Sequence, residues 1–167
     1  EIMPSLVGSE MCIRDRSMTD QLLNLIYTEK VREDEGGTYG VYPMGQLVKY
    51  PTERAVLQIF FNTAPDKQDK LMKIIYAEAE AFAKNGPDEA SLNKVKEYML
   101  KKHNENLKEN GYWLNSIDEY LYTGINPIKD YEQIVNEITV KDVQKFANEL
   151  LKQKNQITVS MISPEKK

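Results

Sequence analysis

The chain has 167 residues, enough for one domain of ordinary size whose core needs neither disulfides nor metal. Its 41% hydrophobic and 29% charged content describes a globular protein rather than a disordered one, and a net charge of −4 supplies no basic field to attract nucleic acid. No apolar run approaches the ~20 residues of a membrane span. The single cysteine, Cys12, excludes an intrachain disulfide, and the single histidine, His103, excludes a His-Glu-x-x-His zinc helix or its inverse.

Residues 1–16 read differently from the rest. They hold the only cysteine, and Met3-Pro4-Ser5-Leu6-Val7-Gly8 has neither helical nor strand periodicity. A signal peptide fits poorly, because no basic segment precedes a short apolar stretch. The string from Pro4 to Arg16 resembles a translated sequencing adapter. Residues 1–16 are therefore expected to be a non-native leader, and residues 17–167 a domain truncated upstream.

From Met18 onward, Leu22, Leu23, Ile26 and Tyr27 fall on one helical face, with Ser17 or Thr19 as candidate cap. The helix should run to about Glu35 and stop at Gly36-Gly37. Tyr39 to Lys49 and Arg54 to Asn62 read as two strands of an antiparallel hairpin, joined by a turn with Pro51 at its second position. In the second strand, Ala55, Leu57, Ile59 and Phe61 alternate with Val56, Gln58 and Phe60.

Thr63-Ala64-Pro65-Asp66 opens a helix with an apolar stripe of Leu71, Ile74, Ile75, Ala79 and Phe82, which Asn85-Gly86-Pro87 stops. Helices are expected next from Asp88 to about Asn110, from Tyr112 to Tyr122, and from Ile128 to Glu137. Thr139-Val140-Lys141-Asp142 forms a capping box, with aspartate in the glutamate place, before a last helix. Ile157, Val159 and Met161 alternate within Gln156 to Ser163, which reads as a closing strand. The order predicts an α+β fold, an antiparallel sheet with helices packed on one face.

The chemistry concentrates in Val31-Arg32-Glu33-Asp34-Glu35-Gly36-Gly37-Thr38-Tyr39-Gly40-Val41. Glycine permits positive φ and close backbone approach. Arg32 offers a fork of donors for a carboxylate or carbonyl, and Tyr39 a hydroxyl on an apolar body. Together they suit an extended polypeptide added at a strand edge. The plainer alternative is a helix stop with a surface arginine and a core tyrosine. His103, among charged neighbours, reads as a solvated helix histidine, and Glu33-Asp34-Glu35 as a solvated helix end rather than a cation site. Tyr112, Trp113, Tyr120 and Tyr122, at helical spacing, read mostly as core with some rings at an interface.

The segment from Leu22 through Tyr27 and on through Arg32, Gly36, Gly37 and Tyr39 resembles the C-terminal domains of M16 metallopeptidases, the insulinase and pitrilysin family. Their pattern has an arginine followed seven positions later by a tyrosine, as Arg32 and Tyr39 are here. The downstream order fits through Ile138-Thr139-Val140-Lys141-Asp142-Val143, so the resemblance covers about Met18 to Ser163. It implies an enzyme of two homologous α+β halves enclosing a chamber, one half with an inverted zinc motif and the other holding the peptide. By position, Arg32 would bind substrate carbonyls, Tyr39 would support the oxyanion, and Gly36 and Gly37 would shape the turn. No residue here would ligate metal; zinc belongs to the partner half.

These residues imply a substrate-binding domain of a zinc endopeptidase, inactive alone and missing its first strand and helix. Its partners would be a peptide and a zinc-bearing N-terminal half, on the same chain or a separate subunit, with neither nucleic acid nor a membrane span involved. The alternative is a non-catalytic relative acting as a structural or peptide-binding subunit. Lysine, asparagine and isoleucine usage suggests a bacterial source, and for a bacterial chain a periplasmic location is favoured over a cytoplasmic one.

Overall fold

The computed structural model describes residues 10–33, 38–48, 50–51 and 54–161. Helix α1 (Glu10–Tyr27) runs into a π-helical segment (Thr28–Glu33), and strands β1 (Thr38–Val48) and β2 (Arg54–Thr63) follow. A short 3-10 turn (Pro65–Lys67) leads into α2 (Gln68–Asn85). Then come α3 (Glu89–Asn106), α4 (Asn110–Thr123), α5 (Tyr131–Glu137) and α6 (Val140–Lys152). The fold is α+β, mostly helical, with a two-stranded antiparallel sheet among the described residues.

α1 begins at Glu10 and passes through residue 16 without a break, eight residues before the turn at which the periodicity places its start. Ser17 and Thr19 therefore lie inside the helix rather than at its start. Thr19 is buried, and among the described residues its hydroxyl has no hydrogen-bond partner. The apolar stripe of α1 forms the centre of the core: Met18, Leu22, Leu23 and Tyr27 are enclosed by Leu71, Ile75 and Phe82 of α2, Leu92 of α3, Val135 of α5 and Val143 of α6. Helices α1, α2, α3, α5 and α6 each contribute one apolar face, the arrangement that packs several amphipathic elements round one core.

The hairpin pairs Val41 with Phe61, Pro43 with Ile59 and Gly45 with Leu57. These positions share the face covered by α1, so Val41 is buried and Leu57, Ile59 and Phe61 pack on the core. The alternate positions Tyr42, Met44 and Phe60 are exposed on the open face. At Gly45 the strand and α1 nearly touch: a Cβ there would lie 2.7 Å from Cγ of Arg16 and 2.8 Å from Oδ1 of Asp20. Arg16 Nη1 donates to the Gly45 carbonyl at 2.7 Å, which locks the crossing.

Helix starts follow the expected chemistry. Asp88 caps α3 by accepting from the Ser91 N–H at 2.8 Å. Thr139 and Asp142 form the reciprocal capping box of α6.

Two expectations need correction. Residues 156–161 form no strand, and Ile157, Val159 and Met161 are 80–95% exposed. The polar alternates hold this segment to α2 instead, with Gln68 Nε2 donating to Ser160 Oγ and Tyr76 hydroxyl bonded to Thr158 Oγ1. A strand needs a neighbour for its backbone groups, and neither β1 nor β2 runs beside it. The aromatics of α4 are the second correction: Trp113, Tyr120 and Tyr122 are exposed, and Ser116 is the buried residue of that helix.

Candidate functional site

The connection between α1 and β1 is anchored at both ends. On one side Tyr27 is fully buried, and its hydroxyl donates to the Ile75 carbonyl at 3.2 Å. Burial pushes this phenol well above the ordinary tyrosine range, with a smaller push from the Glu78 charge, so it stays neutral and keeps its proton. On the other side Val41 is buried against the core. The backbone between them departs from regular geometry twice.

The first departure is the π-helical segment, which contains Arg32. Its opening residue, Thr28, returns its hydroxyl to the Asn24 carbonyl at 2.7 Å, a back-bond that bends helices. Wide π turns recur at functional sites because they rotate the following side chains out of the helical pattern. The second is a slip in the hairpin ladder. Thr38 pairs with Thr63 and Val41 with Phe61, so β1 carries one more residue than β2 between those pairs. Such a bulge redirects the side chains it contains, and Tyr39 lies inside it. Gly40 follows, with the Tyr42 hydroxyl 2.8 Å from where a Cβ at Gly40 would stand.

Arg32 and Tyr39 thus occupy the two irregular points flanking one connection. Gly36 and Gly37 lie outside the described residues, as do the side chains of Arg32 and Tyr39. The adjacent open sheet face presents Tyr42, Met44 and Phe60. A crevice between α1, the hairpin and α6, lined by Arg16, Asp20, Gly45, Phe146 and Leu150 among others, is too narrow for a water molecule.

The family model described as the peptidase M16 inactive domain matches residues 12–99, just over half of the chain. The chain belongs to that family. Among solved structures, it is similar to an M16 inactive domain from Pseudomonas fluorescens, at 20% identity and a TM-score of 0.68, over 81% of this chain and 33% of that one. It is also similar to a protease from Helicobacter pylori, at 20% identity and a TM-score of 0.67, over 86% of this chain and 36% of that one. A third is the ferredoxin protease FusC in complex with Arabidopsis ferredoxin, at 12% identity and a TM-score of 0.68, over 86% of this chain and 16% of that one. The chain thus spans about a third or less of these structures, and the likeness speaks for the fold. No protein of curated function matches the sequence.

The family model is that of the inactive M16 domain, the half without the zinc site. Among the described residues, no three His, Cys, Asp or Glu side chains are placed to hold a metal. His103 is not the solvated residue its charged neighbours suggest. It is buried, its Nδ1 lies 3.0 Å from the Tyr112 hydroxyl, and its ring stacks on Tyr131 at 3.9 Å and 2°. The signal was present in spacing: Leu92, Val95, Met99 and His103 form one helical stripe, and all four are buried. Composition near His103 concealed what periodicity would have shown.

Proposed function

We propose that this M16 inactive domain is the substrate-holding half of a zinc endopeptidase, working with a zinc-bearing half on the same chain or on a separate subunit. The supporting observation is the placing of Arg32 and Tyr39 at two irregular backbone points, beside an open sheet face, in a member of this family. An extended peptide lying there gains main-chain hydrogen bonds from a strand edge and apolar contacts from Tyr42 and Phe60. Arg32 holds a substrate carbonyl with its planar fork of donors. Tyr39 donates its hydroxyl to the oxygen that becomes negative as the carbonyl carbon turns tetrahedral, a contribution that depends on a prepositioned donor. Zinc, when bound in the other half, supplies Lewis-acid activation of that carbonyl and of water. FusC, solved with a protein partner, shows a related fold in a protease complex.

Reconstitution tests the reading. Mixed with the zinc-bearing half, the wild-type chain supports peptide hydrolysis. Tyr39→Phe lowers kcat by about 10²-fold, the scale of a lost oxyanion donor, and Arg32→Ala chiefly raises KM, both with unchanged melting curves. Full activity in both variants sinks the assigned roles. Peptide binding without turnover by any mixture favours the non-catalytic subunit.

A further inference from the structure

The outward face of α4 is apolar. At 100° per residue, Trp113, Leu114, Ile117, Tyr120 and Leu121 occupy one continuous arc of about 120°. Their exposure runs from 46% at Trp113 to 77% at Leu121. The inward stripe is the polar one. Tyr112 reaches His103, Ser116 Oγ donates to the Tyr112 carbonyl at 2.7 Å, and Thr123 Oγ1 donates to the Glu119 carbonyl at 2.7 Å. Trp113 is fixed by its Nε1 donating to the Leu107 carbonyl at 2.8 Å. An amphipathic helix whose apolar side faces water lacks its cover.

We infer that this cover is the α4 helix of a second copy, packed antiparallel about a two-fold axis at Ile117. The spacing of the apolar positions is symmetric about that residue: Trp113 and Leu114 precede it by four and three positions, and Tyr120 and Leu121 follow by three and four. An isologous interface requires that self-complementarity. The chemistry matches as well as the spacing. Seen down the helix, Trp113 and Tyr120 lie on one side of Ile117, and Leu114 and Leu121 on the other. A two-fold sets Trp113 against Tyr120 of the copy and Leu114 against Leu121 of the copy, aromatic to aromatic and aliphatic to aliphatic. No charged side chain lies within the arc, so none is desolvated without a partner.

Aromatic side chains bury roughly 150–250 Å² when fully covered, and complete cover of the exposed parts of these residues would remove at most roughly 600 Å² per copy, so that about 1,200 Å² per pair, the lower end of a specific interface, is the ceiling.

The test uses the full chain with Cys12→Ser, which leaves it free of cysteine. Sedimentation equilibrium should give twice the chain mass at high concentration, and Ile117→Glu should return it to the monomer with an unchanged circular dichroism spectrum. Under mild oxidation, Ile117→Cys should cross-link to itself. Leu114→Cys and Leu121→Cys should cross-link only when mixed, since a disulfide needs Cα atoms about 4.4–6.8 Å apart. A monomer at every concentration overturns the inference, as does a dimer that survives Ile117→Glu. Self-linking of Leu114→Cys, which signals a parallel or slipped pairing, overturns it too.

Discussion

Helices α4 and α6 have similar lengths and opposite arrangements. In α6, Val143, Phe146 and Ala147 face inward and are buried, and the capping box fixes the start of the helix beside Gly86. In α4 the apolar side chains face outward, and a polar stripe headed by Tyr112 and Ser116 faces His103 and the body. Both read as amphipathic helices. Periodicity says that a helix has an apolar face; it does not say which molecule covers it. α6 spends its face on the folding of its own chain, whereas α4 holds its face in reserve.

Single truncations should separate the two helices most sharply. Phe146→Ala removes a buried ring from the crossing of α6 with α1 and should cost about 3–5 kcal/mol. That corresponds to a fall in Tm of roughly 6–20 °C for a chain of this size. Ile117→Ala should cost less than about 0.5 kcal/mol at low protein concentration, because the side chain is half in water already. At high concentration the Ile117→Ala cost should grow, since association stabilises only the chain that can associate. Thermal melts over a concentration series measure both. Equal losses at low concentration would mean that α4 is part of the core after all.

A smaller effect belongs to the crossing of α1 with β1, on the α6 side of the molecule. Gly45→Ala puts a methyl group where Cγ of Arg16 and Oδ1 of Asp20 already stand. One of these flexible side chains must move, so the cost should be about 1–3 kcal/mol, in the range of overpacking. The equivalent change on α4, Gly111→Ala, meets no atom within 4 Å and replaces a poor helix former, so it should raise stability by up to about 1 kcal/mol. Chemical denaturation of the two variants gives opposite signs if the contrast is real.

Most of the body was legible because its residues satisfy local rules that tertiary packing then respects. The 3.6-residue stripe in α2, the alternation in β2 and the Thr139–Asp142 box each survive unchanged. The failures share a cause. For the closing strand, the histidine and the aromatic helix, local pattern or composition was the guide where the deciding fact was a neighbour. Ile157 and Val159 alternate correctly for a strand, yet among the described residues no strand lies beside them. His103 sits among lysines in sequence and between two tyrosines in space. The arginine–tyrosine segment together with the downstream order carried the resemblance, and the family model bears it out. The π turn and the bulge that contain those two residues left no mark in composition, because both are features of backbone hydrogen bonding rather than of residue type.

The smallest effect concerns the charge that α1 keeps against the hairpin. Burial raises the Asp20 carboxyl above its ordinary value, and this outweighs the Gly45 N–H and the Arg16 guanidinium, which both pull the other way. The sign follows from linkage. A carboxyl whose folded pKa lies above the unfolded one binds more protons in the native state across the window between the two. Stability therefore falls as pH rises through the folded value and recovers as pH drops back towards about 4, where the unfolded group also protonates. Asp88, exposed at the start of α3, has the opposite behaviour. Its bonds to Ser91 lower its pKa, so its contribution is present at neutral pH and disappears in acid. Asp20→Asn keeps an oxygen for the Gly45 N–H and removes the buried charge. At neutral pH it should be as stable as the wild type or more stable by up to about 1 kcal/mol, and its stability should fall less as pH rises from about 4 to 7. If Asp20→Asn instead loses stability at pH 7 while matching the wild type at pH 4, the pairing with Arg16 outweighs the burial, and the crossing is held by charge rather than by the fit at Gly45.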